Sequence, residues 1–172
     1  MPRLRSGSAS WFVCGGTKSE TPAAEEEAPA KLADGLYELS YEVVSVDSTD
    51  KTTPATKLKA GDKGVVKACV TGGKPDPALL AEEGDKCEIK NDYIHNGRMS
   101  AQMSCERTGM SGQVMPAMMG SFDRKGFEGD ITALTYFVKD GDYRLVRKVE
   151  AKRVGDCPAG GVAPAAKEEK KS

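Results

Sequence analysis

From Cys87 to Cys105 the chain reads CEIKNDYIHNGRMSAQMSC, and its polarity alternates on both sides of His95-Asn96-Gly97. After that point Met99, Ala101, Met103 and Cys105 alternate with Ser100, Gln102, Ser104 and Glu106. Before it, Cys87, Ile89 and Tyr93 share one parity, and Glu88, Lys90 and Asp92 share the other. A period of two marks half-buried strands, so the stretch reads as a β-hairpin. A two-residue Asn-Gly turn would pair His95 with Arg98 and set Lys90 opposite Met103 and Asp92 opposite Ala101, mixing polar and apolar on one face. A three-residue loop with Gly97 in a left-handed bulge pairs Ile94 with Arg98 instead. Tyr93 then faces Met99, Ile89 faces Met103 and Cys87 faces Cys105. A one-residue slip moves every side chain to the other face, so the second register is the expectation. Opposed residues of an antiparallel pair lie within disulfide reach, so Cys87 is expected to bond Cys105.

Six further elements follow from the same pattern. Tyr37, Leu39, Tyr41 and Val43 alternate with Glu38, Ser40 and Glu42, which makes a first strand of Gly35 to Val46. Asp47 to Asp62 is polar and reads as a loop. Gly64 to Thr71 is a second strand carrying Cys69, stopped by Gly72-Gly73. Pro75 to Glu83 reads as a short helix with Asp76 at the N-cap, Pro77 at its first position and Gly84 beyond its end. Met110 to Ser121 is a strand that Pro116 marks as a bulge or an edge. Phe127 to Val138 and Tyr143 to Val154 are joined by Asp140-Gly141, a two-residue turn that would pair Val138 with Tyr143 and Tyr136 with Leu145. The predicted fold is mainly β: a single antiparallel meander of about seven strands, curled or barrel-like, with one short helix.

The chain has 172 residues, of which the segment 34–157 makes one β domain. Residues 1–33 read as a degenerate leader and disordered tether, and 158–172 as a disordered tail. Lys and Arg number 25 against 26 Asp and Glu, interspersed, which argues against nucleic acid as a partner. A monomer is expected. Four of the five cysteines lie inside the domain; with Cys87 and Cys105 paired, Cys69 is left for Cys157. No CxxC spacing occurs and the single His stands apart from the cysteines, so the pattern is not that of a zinc site. Disulfides of this kind persist outside the reducing cytosol.

Met1 to Val13 has Arg3 and Arg5 but no apolar run long enough for a complete signal peptide. Cys14-Gly15-Gly16, followed by a Pro/Ala/Glu-rich run, has the form of a lipoprotein acylation site with its tether, although Phe12 and Val13 stand where small residues are usual. Cys14 is thus read as a membrane tether or as an odd thiol in a flexible tail.

Chemistry-bearing clusters are few. Met99, Met103, Met110, Met115, Met118 and Met119 crowd the middle of the chain near His95. Thioethers suit Cu(I), and a metal-handling alternative centres on Met115, Met118 and Met119. Packing in the core is the plainer use of such residues, and His95 reads as an exposed turn residue, so no metal or cofactor is assigned. Glu82-Glu83 and Asp140/Asp142 read as solvated or capping carboxylates. With one His, on a turn, and no phosphate loop after Gly72-Gly73, the chain does not read as an enzyme.

Asp34-Gly35-Leu36-Tyr37-Glu38, then Ala68-Cys69-Val70-Thr71, then two mid-chain cysteines around a hairpin, then Arg153-Val154-Gly155-Asp156-Cys157 form an ordered set. It resembles the proteobacterial family catalogued as domain of unknown function 3617, over roughly Asp34 to Cys157. Asp34 and Tyr37 stand where that family often has Pro and Trp. The resemblance implies a small exported β protein of the periplasm or cell envelope, often with a signal or lipoprotein leader, and it supplies no catalytic residue. The expectation is a non-enzymatic envelope protein with a structural or binding role, extending to a small apolar ligand held by the curled sheet.

Overall fold

The computed structural model describes residues 28–159. Its elements are β1 (Gly35–Ser48), β2 (Lys63–Thr71), β3 (Lys74–Pro75), α1 (Pro77–Leu80), β4 (Asp85–His95), β5 (Arg98–Arg107), β6 (Gly112–Phe122), β7 (Gly126–Phe137) and β8 (Tyr143–Gly155). All eight strands form one antiparallel sheet in the order β3-β2-β1-β8-β7-β6-β5-β4. The last long strand returns to pair with the first, Tyr41 opposite Val149. Seven of the strands are the long ones that alternation marks. The eighth, β3, has two residues, one of them a proline, and is too short to show a period; it pairs Thr71 with Lys74.

The sheet curls into a nearly closed barrel. Its two outer strands, β3 and β4, meet without backbone pairing, and the seam is covered by side chains: α1 packs against both β2 and β4, and Lys74 Nζ lies 2.9 Å from Asp92 Oδ1. Leu79 and Leu80 of α1 are fully buried in the same cluster as Tyr37, Leu39, Met118 and Leu145. Asp76 caps α1 as expected, its carboxylate accepting from Ala78 N at 2.8 Å, and Pro77 opens it. The helix stops well before Glu83, with Ala81 already extended, because Glu82 is drawn away to ionic partners described below.

The β4–β5 hairpin corrects the three-residue loop. Its tip is a two-residue turn, Asn96 at φ 49° and Gly97 at φ 73°, with His95 opposite Arg98. Its base nevertheless has Ile89 opposite Met103 and Cys87 opposite Cys105. Both hold because Lys90 is an extra residue: the register shifts between Ile89 and Asn91, so each register governs one half. Beyond the bulge the parity reverses, Ile94 turns inward and Tyr93 is 54% exposed. Gly97→Ala should cost about 1–2 kcal/mol by chemical denaturation, since a Cβ there forces an unfavourable left-handed φ and meets Ala28 Cβ at 2.9 Å. An unchanged midpoint would contradict this turn.

Two further expectations change. Pro116 is neither at an edge nor in a bulge: it is buried in β6 and opposes Ala133 of β7 in unbroken register. Its missing N–H coincides with a gap in the β5–β6 ladder, which pairs Gln102 with Ala117 and next Cys105 with Val114. Between β7 and β8, Ala133 opposes Leu145 and Leu134 opposes Arg144, three residues away from the tight-turn register. Asp142 Oδ1 accepts from Phe137 N at 2.7 Å and Thr135 Oγ1 at 3.0 Å, and Asp50 Oδ2 accepts from Gly141 N and Asp142 N, so carboxylates hold a wider loop open. Val138 is left 79% exposed.

Both disulfides form, Cys87–Cys105 with Cα atoms 4.0 Å apart and Cys69–Cys157 at 5.8 Å. Cys14 lies outside the described residues, as do residues 1–27 of the tether and 160–172 of the tail. Of the tether, residues 28–33 pack onto one rim of the barrel. Leu32 is 2% exposed, Pro29 O accepts from Gly97 N at 3.2 Å and Ala33 O accepts from Tyr37 OH at 2.8 Å.

Candidate functional site

The opposite rim carries an ionic cluster that none of the sequence motifs announced. Arg107, at the end of β5, is its centre. Its Nε and Nη2 meet Asp85 Oδ1 and Oδ2 at 2.7 and 2.9 Å, a bidentate pair, and Nη2 lies 3.3 Å from Glu82 Oε2. Nη1 donates to Tyr143 OH at 2.6 Å and to Ala55 O at 3.0 Å. Tyr143 OH is 3.0 Å from Glu82 Oε1, and Thr56 Oγ1 is 3.3 Å from Glu82 Oε2. Glu82 is therefore a buried partner and not a solvated helix end. Arg107 also stacks over the rings of Phe137 and Tyr143, 5.7 Å from each centroid.

The electrostatics follow from this packing. Burial pulls the Arg107 guanidinium down, but the hydrogen bonds to Asp85 and the charge of Glu82 outweigh it and leave it above its ordinary value. Burial, then the charge of Glu82, pushes the Tyr143 phenol up to about 12. A neutral phenol between a carboxylate and a guanidinium is a hydrogen-bonding strut. The folded barrel keeps a proton that the unfolded phenol releases near pH 10. Tyr143 thus contributes stability that is complete below pH 10 and is lost as pH rises through about 12. Denaturation midpoints between pH 9 and 12 should fall more steeply in the wild-type chain than in Tyr143→Phe; parallel curves would contradict the assignment.

The cluster fastens residues 49–62 across this rim. Besides the Ala55 carbonyl on Arg107, Ala55 N donates to Gly141 O and Thr49 N to Asp142 O. Asp50 anchors the crossing: the Thr52 hydroxyl, then the amides of Gly141, Thr52 and Asp142, hold its carboxyl well below the usual range.

A second arginine lies deeper. Arg147 of β8 is 2% exposed inside the barrel. Its Nη2 donates to Leu80 O at 2.7 Å and its Nη1 to Ala81 O at 3.4 Å, while the guanidinium sits 5.3 Å from the centre of the Tyr41 ring. Among the described residues, Arg147 Nε is the buried side-chain polar atom without a hydrogen-bond partner. An open groove of about 330 Å³ lies by the β6–β7 turn, floored by Phe122 and Phe127 and flanked by Lys125, Lys152, Glu128 and Glu150. Its mixed charges give no preference for one ligand sign.

The methionines divide by strand parity. Met118 is 1% exposed in the core, while Met115 and Met119 are 46% and 70% exposed on the outer face of β6. The three thioethers do not converge. No group of three or more His, Cys, Asp or Glu side chains is placed to hold a metal among the described residues. His95 is exposed, with Nδ1 3.4 Å from Ala30 O. Dilute peroxide should therefore convert Met115 and Met119 to sulfoxides well ahead of Met99, Met103 and Met118, as read by peptide mass spectrometry. Equal rates at all five would contradict the burial pattern.

The fold and its rims define a class: a small, nearly closed antiparallel β-barrel, stapled by two disulfides and plugged at its seam by a one-turn helix. No curated protein and no solved structure matches the chain. The model of the family described as protein of unknown function DUF3617 matches residues 32–157, and the chain belongs to that family.

Proposed function

We propose that the protein is a non-enzymatic, exported protein of the cell envelope that binds a small apolar ligand in its barrel. The observation that carries this reading is the seam. A barrel closed by backbone pairing all round has no way in, whereas here β3 and β4 are not paired by backbone, and α1 and the Lys74–Asp92 ion pair lie across the seam. Two disulfides support an oxidising compartment. A lipid tether at Cys14 belongs to the same reading.

Two measurements test it. Protein isolated from its own cells without detergent should carry a stoichiometric apolar molecule in native mass spectrometry; an empty barrel, together with failure to take up apolar probes, sinks the ligand. Cell fractionation should place the chain outside the cytoplasm, on a membrane that Cys14→Ser releases. Recovery in the cytosol with reduced thiols sinks the envelope assignment.

A further inference from the structure

We infer that the ligand is an amphipathic carboxylate, a long acyl chain with an anionic head, whose head binds Arg147 and whose chain takes the place of Leu79 and Leu80. This rests on the apolar-ligand reading above and specifies it.

Arg147 is a charged fork at the centre of an apolar barrel. A buried guanidinium is costly unless it meets an opposite charge with its donors satisfied. Arg107, nearer the rim, meets two carboxylates. Arg147 instead spends two nitrogens on the backbone carbonyls of Leu80 and Ala81 and leaves Nε unmatched. Planar, bidentate recognition of a carboxylate is what a guanidinium is shaped for.

The groups that now occupy Arg147 belong to a one-turn segment that lies outside the strand ladders. α1 is four residues long, and isolated helices of that length do not persist without packing. Leu79 N donates to Asp76 O and Ala81 N to Pro77 O, and the segment is hinged to β2 at its start, where Asp76 N donates to Cys69 O at 2.9 Å. It lies over the seam, where no neighbouring strand pairs across. Lifting Pro77–Ala81 removes both carbonyls from Arg147 and both leucines from the core in one movement. It leaves an apolar slot with a cation at its inner end. Glu82, whose charge acts on Arg147 from a distance, makes its direct contacts with Arg107 and Tyr143 and leaves the Arg147 fork without a carboxylate bonded to it.

The test titrates the full disulfide-bonded chain with a saturated sixteen-carbon fatty acid and with the matching alcohol, each below its aggregation concentration, by displacement of a fluorescent polyene fatty acid. Amide hydrogen exchange is followed at Leu79 and Ala81. The acid should bind at least about tenfold tighter than the alcohol, the value of a charge-assisted hydrogen bond. Arg147→Gln should abolish that preference, and the two amides should lose protection as the acid binds. The acid-to-alcohol ratio and the exchange need only the unmodified chain, so a poorly folding variant does not block the test. Equal binding of acid and alcohol overturns the carboxylate head and leaves an apolar ligand standing. Binding of neither overturns this proposal and the wider reading together. Tighter acid binding with the Leu79 and Ala81 amides still protected overturns the place assigned to the chain.

Discussion

Replacing Arg107 with methionine should cost the barrel about 3–5 kcal/mol, the range for removing one partner of a buried ion pair. The size follows from what is left behind. The Asp85 side chain is fully buried and that of Glu82 is 6% exposed, so two carboxylates would remain in the interior without their cation. Tyr143 OH and Ala55 O lose a donor as well, and residues 49–62 lose a fastening to the rim. Arg107→Lys should recover only part of the loss, because a single ammonium cannot reproduce the two-point contact with Asp85. The triple change Glu82→Gln, Asp85→Asn, Arg107→Met should be less damaging than Arg107→Met alone, since it strands no charge. Urea denaturation at pH 7 with disulfides intact measures all three. A loss below about 1 kcal/mol for Arg107→Met would show the cluster to be solvated in a way its burial denies.

The second large effect lies in the disulfides, and it is a matter of order. Cys69 and Cys157 are 88 positions apart and close a loop of 89 residues, whereas Cys87 and Cys105 are 18 apart and close one of 19. If cross-links act by restricting the unfolded chain, the long loop contributes ~4.6 kcal/mol and the short one ~3 kcal/mol. The positions point the same way. Cys87–Cys105 joins strands that already pair, while Cys69–Cys157 ties the chain beyond β8 to β2, two strands away. The double alanine variant at 69 and 157 should therefore be the weaker of the two pairwise variants in oxidising buffer. Equal midpoints, or the reverse order, would mean that the denatured chain is not what these bonds act on.

Much of this architecture was legible in the alternation of residues, because a sheet with one face inward writes its period directly into the chain. The long strands and the Cys87–Cys105 pairing follow from it; Cys69–Cys157 followed by elimination, and Asp76 as a cap from its residue type ahead of Pro77. The hairpin register was half legible. Each candidate register explained part of the pattern, and a bulge at Lys90, which no local signal marks, reconciles them. The ionic cluster was present in the same period but masked by residue type. Arg107 continues the inward series Met99, Ala101, Met103, Cys105, and Arg147 sits within Tyr143, Leu145, Val149, Ala151. Parity alone places both inside. Their charge argues otherwise until their partners are known, and those come from far away: Tyr143 is 36 positions from Arg107, and Ala55 is 52. The crossing of residues 49–62 was hidden for the same reason, since Asp50 reaches Gly141 over 91 positions.

The chain enters and leaves the barrel on one side. Ala28 lies against Gly97 at the β4–β5 turn, and Cys157 is bonded to Cys69 near the same end of β2. A tether at either terminus therefore attaches to the same end of the barrel, away from the rim crossed by residues 49–62. Surface attachment through the N-terminus and through the C-terminus should present one and the same epitope, so an antibody raised against residues 49–62 should bind both immobilised forms alike.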